Sequence, residues 1–393
     1  MKNVKSKRAS LSPAVRAANA LTAQWCTRLG SGDFALSGAG LWPLLALLVS
    51  AADEEAGAEL TTALGRPAES GQRDALELIE ILRGGVSTTA ALGVWTRKGI
   101  PLDEQWAAGL PEGVVRALTD QAALDRWASA QTNGLIEEFP LEVTPEIVLI
   151  LASALAARVK WRTPFDASPR GKRVSWDDPG EPDQQWLRRK TYDLSEAAVL
   201  DGAVSRIVVE GDGDVDVHLL LGEQQPSAVL AAGLRELAGE AEVRSVAESG
   251  GPGLNVRRVP SSSRQDILGL RVPSFEITTR HDLMEHAELF GLRLVADPIT
   301  SHLPHLSPVP LFVSDGVQDV LARFFAEGFE AAAVTAFGLA ATGVPPDEPY
   351  EVTFVEATFD RPFGFIAVHR PSRLAVVAGW VDSPFQPTEQ DGA

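Results

Sequence analysis

The chain has 393 residues, 45% hydrophobic and 22% charged, the proportions of an ordered globular protein rather than a disordered one. Its 53 acidic residues against 35 basic ones leave a formal charge of −18, which argues against wrapping nucleic acid or lying on an anionic membrane. A single cysteine excludes an internal disulfide and a cysteine-rich metal site, and a mean hydropathy of +0.01 excludes a membrane protein by composition.

Lys2, Lys5, Lys7 and Arg8 resemble the charged start of a signal peptide. Arg16, Asn19 and Gln24 interrupt the apolar block that should follow, so the expected location is cytoplasmic. Over residues 12–29, Val15, Ala18, Leu21, Trp25 and Leu29 step by three and four, the signature of an amphipathic helix ended by Gly30. Pro43 marks the first turn of a second helix with Leu44, Leu47 and Leu48 on its buried side. The apolar stretch 41–52 around it is too short to span a bilayer. Helices continue over 56–87, and 88–96 reads as a buried strand. Residues 125–136 are helical with Trp127 on the apolar side, and the nearly unbroken apolar run 148–156 suggests a strand buried on both faces. Strands follow at 205–210 and 215–221 across a turn at 211–214, then a helix over 226–239. Gly, Ser and Pro make 248–264 a loop. Strands are expected over 267–277, a helix over 281–292, and a strand over 317–325. Residues 352–359 and 363–381 close the chain as sheet. Helices come first and strands later, without repeat or regular βαβ rhythm. The expectation is one α+β domain over 1–393 with large antiparallel sheets, tails at 1–12 and 386–393, and an exposed loop at 327–351.

No catalytic constellation assembles from the sequence, and no cofactor is expected. His302 and His305 flank Pro304, while His281 and His286 are five apart and diverge around a helix, so both pairs read as surface or capping groups. Asp212, Asp214, Asp216 and Glu223 imitate a calcium loop, but Val217 stands where its sharp turn needs glycine; turn chemistry is the expected use. There is no G-x-S-x-G and no phosphate-binding loop, and Gly250, Gly251 and Gly253 read as a flexible connection. Cys26 adjoins an apolar helical face and reads as core.

Four segments in the right order resemble the serpin family. Residues 359–370 and 377–384 are similar to its C-terminal hairpin. Trp127, Thr132, Gly134 and Ile136 reproduce a W-x4-T-x-G-x-I helix. Lys160, Trp161, Pro164 and Phe165 match the K-W-x-x-P-F that follows a central strand. Residues 272–277 with Asp282 and Leu283, then 310–314, match the approach to the reactive loop. The resemblance implies a serpin-type fold and a suicide inhibitor, whose exposed loop is cleaved by a serine protease and then inserts as a new strand of the central sheet.

On that resemblance the hinge is Gly328, Phe329, Glu330, Ala331, Ala332, Ala333, Val334 and Thr335. Phe329 departs from the small polar residue usual there, and forcing its ring into a packed slot costs about 1–3 kcal/mol. Ala326 stands in place of the usual glutamate. The sheet-opening region maps to Ser37, Gly40, Ser153 and Gln318 with Trp161 at the top of the sheet. Gly40 lacks a hydroxyl, and Ser153 and Gln318 replace an Asn and a His, so the implied polar network is thinned. The loop extends from Phe329 to Arg361. The family's spacing puts the scissile bond near Thr342 and Gly343, with Phe337 or Leu339 as alternatives. No Arg or Lys lies between Phe329 and Arg361, so the expected partner is a serine protease of apolar preference. Two other readings stay open: a non-inhibitory module that binds a protein or peptide, chaperone-like, and a scaffold recruited as an enzyme in a biosynthetic pathway.

Overall fold

The computed structural model describes residues 10–167, 186–329 and 349–383. Ser12 caps the first helix, α1 (Pro13–Cys26), its hydroxyl accepting the Val15 N–H at 3.3 Å while Pro13 takes a first-turn position where no donor is needed. The predicted stripe of Val15, Ala18, Leu21 and Trp25 is buried, though the helix ends at Cys26, short of Gly30. Next comes α2 (Gly38–Val49), which starts a turn earlier than Pro43 suggests. That proline lies inside the helix, where it removes one backbone donor. Gly38 is dictated by contact with α1, since a Cβ there would sit 2.2 Å from Thr22 Oγ1. Then follow α3 (Glu54–Leu64), α4 (Gly71–Arg83), α5 (Glu104–Ala108), α6 (Gln121–Gln131) and α7 (Pro226–Ala238).

The strands in chain order begin with β1 (Phe34–Leu36), β2 (Thr88–Thr96), β3 (Val115–Ala117), β4 (Leu149–Ala157), β5 (Val159–Lys160), β6 (Asp166–Ala167) and β7 (Trp186–Thr191). They continue with β8 (Ala197–Leu200), β9 (Val204–Val209), β10 (Val215–Gly222), β11 (Val243–Ser245), β12 (Leu254–Ser261) and β13 (Ile267–Pro273). Last come β14 (Phe275–Asp282), β15 (Val317–Phe324), β16 (Gly328–Phe329), β17 (Tyr350–Thr358), β18 (Phe363–His369) and β19 (Leu374–Val381). Among the described residues they form four sheets, in the orders β1-β19-β18-β10-β9-β8-β11, β12-β17-β13-β7-β6, β14-β15-β16-β5 and β3-β2-β4. Nearly all pairs are antiparallel; β2 with β3 and β13 with β17 are parallel.

Several expectations need correction. β4 alternates between buried and half-buried positions, so only one of its faces is covered. Its alanines made it look apolar throughout. Residues 248–264 are not all loop, because β12 occupies their middle and pairs with β17 over eight positions. The helix expected over 281–292 reduces to a single 3-10 turn and Ala287–Phe290, with His281 still on β14. The loop expected from Phe329 to Arg361 is shortened at both ends: Phe329 is a buried strand residue, and β17 takes residues 350–358.

The polar residues that imitate metal sites are spent on structure. Asp214 accepts the Val86 and Ser87 N–H groups at 2.6 and 2.9 Å, and Asp216 pairs with Arg370 at 2.5 Å. His302 Nδ1 lies 2.8 Å from Asp53, and His281 Nε2 2.8 Å from the Ala35 carbonyl. Burial pushes the Cys26 thiol up to about 12, so it packs as a small apolar group. The ends of the chain are tied together by Asn19, which donates to the Arg373 carbonyl and accepts from the Ala375 N–H, both at 2.9 Å. Among the described residues no helix is long and apolar enough to cross a membrane.

Phe275, Phe324, Phe363 and Phe365 meet between the seven-stranded sheet and β14-β15, with the Phe275 ring 5.3 Å from Phe324 and 5.0 Å from Phe365. Phe365 is fully buried. Phe365→Ala is expected to cost about 3–5 kcal/mol through lost burial and the cavity left behind. Urea denaturation checks it: the midpoint should fall with the slope unchanged.

Candidate functional site

β4 and β15 flank each other without forming a ladder; among the described residues they belong to different sheets. What joins the two halves is β16, whose Gly328 and Phe329 lie opposite Lys160 and Val159 of β5. On its other side Phe329 lies opposite Phe324 of β15. Below that bridge runs a slot holding a cavity of about 70 Å³, lined among others by Ser37, Gly40, Ser153, Gln318, Asp319 and Phe329. Its walls are strand edges, which carry backbone donors and acceptors that a further strand can take up.

A chain of hydrogen bonds floors the slot. Gln318, on β15, closes a ring with the backbone of one residue: its Oε1 accepts the Ser37 N–H at 2.9 Å, and its Nε2 donates to the Ser37 carbonyl at 3.0 Å. The Ser37 hydroxyl donates to the Val376 carbonyl at 2.6 Å and accepts the Gly40 N–H at 3.0 Å, capping α2. From the opposite wall, Ser153 of β4 donates to the Gly40 carbonyl at 2.5 Å. Both walls are thus moored to the same helix N-terminus. The four positions named from the sequence are brought together here, and Gln318 fills both ends of its amide. Gly40 leaves little room: a Cβ would lie 3.3 Å from Ser37 Oγ and 3.4 Å from Gln318 Nε2.

Trp161 stands apart, above the bridge. Its Nε1 donates to the Phe325 carbonyl at 2.8 Å and its N–H to the Glu327 carbonyl at 3.0 Å, while Phe165 N–H holds the Ala326 carbonyl at 2.8 Å. These bonds fix the turn between β15 and β16. Phe329 is 2% exposed, its ring 6.3 Å from Phe365 beneath the sheet. Glu330, Ala331, Ala332, Ala333, Val334, Thr335, Phe337, Leu339, Thr342 and Gly343 lie outside the described residues.

Sequence reasoning missed Asp319. It lines the slot, with one carboxylate oxygen buried without a hydrogen-bond partner and the other 3.6 Å from Arg280. Burial holds this carboxyl above its ordinary range, with Arg280 and His281 pulling the other way. The only signal in the sequence was an acid within a strand-like run.

β4 and β15 thus form the two walls of a slot, with β16 seated at one end. The family described as Serpin (serine protease inhibitor) matches residues 14–184 and 253–384, and the chain belongs to that family. It is 25% identical over 391 residues to putative serpin-Z8 of Oryza sativa subsp. japonica, covering 88% of this chain and 86% of the relative. Tengpin, a thermophilic serpin solved in its native state, superposes with a TM-score of 0.68 at 15% identity, covering 97% of this chain and 95% of that one. A thyroxine-binding globulin in complex with thyroxine gives 0.67 at 15%, covering 95% and 99%. These structural likenesses carry the fold.

Gln318→Leu keeps the side-chain volume but strips two bonds from the Ser37 peptide, and is expected to destabilise the intact protein by about 2–3 kcal/mol. Chemical denaturation reads the loss, and an unchanged midpoint would remove Gln318 from the mooring. Asp319 has the opposite sense. A carboxyl held above its ordinary range takes up its proton in the fold before it would in the unfolded chain, so it adds stability as the pH falls and costs stability once ionised. Asp319→Asn should raise the thermal midpoint at pH 7 by about 1–3 °C and flatten the gain as the pH falls towards the ordinary carboxylate range.

Proposed function

We propose that this serpin inhibits a serine protease of apolar preference, through cleavage of the segment between β16 and β17 and insertion of its first half between β4 and β15. The observation that carries the reading is the slot between β4 and β15, unpaired among the described residues, with Phe329 already seated at its entrance. The residues after Phe329 continue from a strand that lies between the two halves, so insertion extends an existing pairing rather than starting one. The small residues at 331–333 suit passage between strand edges, and the lack of Arg or Lys up to Arg361 supports an apolar cleavage site near Thr342 and Gly343 or at Phe337 or Leu339.

A second reading, a non-inhibitory binding module, draws on a groove of about 490 Å³ between α1, α7 and the seven-stranded sheet. Val15, Leu237 and Val368 supply apolar lining, with His218 and Arg206 beside them.

Limited cleavage with subtilisin separates the two. Insertion of a strand adds on the order of ten hydrogen bonds at about 1 kcal/mol each. The thermal midpoint of the nicked protein should then rise by about 20 °C or more. A covalent, SDS-stable complex with an apolar-preferring protease completes the case. No rise on cleavage, with a midpoint raised instead by an aromatic carboxylic acid, favours the binding module.

A further inference from the structure

The five-stranded sheet carries a charge arrangement that strand insertion does not use. β7 and β13 run antiparallel with Arg188 directly opposite Arg271. Side chains at such positions stand about 5 Å apart at Cβ, and like charges there repel. The other arginines nearby are paired: Arg189 with Glu196 at 2.7 Å, Arg323 with Glu276 at 3.0 Å, and Arg257 with Glu356 at 3.9 Å. Among the described residues Arg188 and Arg271 have no such carboxylate, and the Nε of each is buried without a hydrogen-bond partner. Asp166 is in register with Arg188 from the other side, yet it is exposed and makes no ion pair with it. The Arg271 guanidinium lies over the Trp186 ring, 5.1 Å from its centre, which holds the fork in place. Lys190 follows on the same face, exposed. In a chain of charge −18, three cations and one acid, Asp166, gather on one sheet face, and among the described residues neither Arg188 nor Arg271 makes an ion pair.

We propose that Arg188 and Arg271 form a binding site for a tetrahedral oxyanion, a phosphate or sulfate group, with Lys190 as a peripheral charge. Two planar forks on directly opposed strand positions can each offer N–H donors, and a tetrahedral dianion has enough oxygens to accept from both at once. A carboxylate bound bidentately to one fork would leave the other unmet. Binding would cancel the repulsion between the strands and staple β7 to β13, which itself pairs with β17. This proposal does not depend on whether the slot accepts a strand.

The test uses the full chain and compares thermal unfolding in sodium phosphate and sodium chloride at equal ionic strength, with isothermal titration of phosphate alongside. Phosphate also stabilises proteins generally by exclusion from their surface, an effect that does not saturate. The site predicts a saturable rise in the midpoint with a dissociation constant in the millimolar range, and at least tenfold weaker binding in Arg188→Gln and in Arg271→Gln. Arg271→Lys, which keeps the charge and loses the fork, should also bind more weakly, while Arg323→Gln should bind as the parent does. In chloride the glutamine variants should unfold at or above the parent midpoint, since they relieve repulsion. Phenyl phosphate binding more tightly than inorganic phosphate would identify an ester as the natural source; equal binding would identify the free ion. An unsaturable response in the parent, or an equal saturable response in both glutamine variants, overturns the site.

Discussion

Two strand edges that lie alongside each other without exchanging hydrogen bonds govern this structure. Keeping β4 and β15 apart requires support at both ends of the gap. At the top, β16 bridges to β5 under the grip of Trp161 and Phe165. Underneath, Ser37, Gly40, Ser153 and Gln318 moor both walls to the first turn of α2. The aromatic cluster around Phe365 fills the space below the bridge. The seven-stranded sheet, by contrast, is buried along β10, β18 and β19, and supplies the rigid body against which the divided sheet is held.

The mooring is made of hydrogen bonds rather than apolar contacts, which decides how the gap can change. Each link is individually modest, but all pass through one peptide turn at residues 37–40. Displacing that turn loosens both walls together, so the gap behaves as a single unit. Asp319 adds an opposing influence, since its half-buried carboxylate gains from any movement that exposes it to water.

Much of the scaffold was readable from residues alone. The stripe through Val15, Ala18, Leu21 and Trp25 marked α1; the turn at 211–214 separated β9 from β10; the strand formers after residue 350 marked β17, β18 and β19. The failures share a cause. β12 is largely exposed, so it lacks the apolar alternation that marks a strand and owes its form to the ladder with β17. β4 is rich in alanine, which is apolar enough to look buried and small enough to sit at an open face. Pro43 misled because tertiary packing of α2 overrides its preference for a first turn. The grouping of Ser37, Gly40, Ser153 and Gln318 came from family resemblance, as no spacing in the sequence links residues nearly 300 apart. Asp319 and the seat of Phe329 depend on which way one strand residue points, which only the register decides.

Asn19 closes the molecule by binding the backbone at residues 373 and 375, and β1 pairs with β19 close by. A ribosome adding about 5–20 residues per second takes roughly twenty seconds to a minute to pass from one partner to the other. Through that interval α1 and β1 have no hairpin to dock on, and the seven-stranded sheet lacks the two strands that carry its edge. Completion of the fold thus waits for β18 and β19 to emerge, and until then the newborn chain keeps sheet edges uncovered. Cells making this protein therefore face an aggregation hazard whose length is set by translation speed.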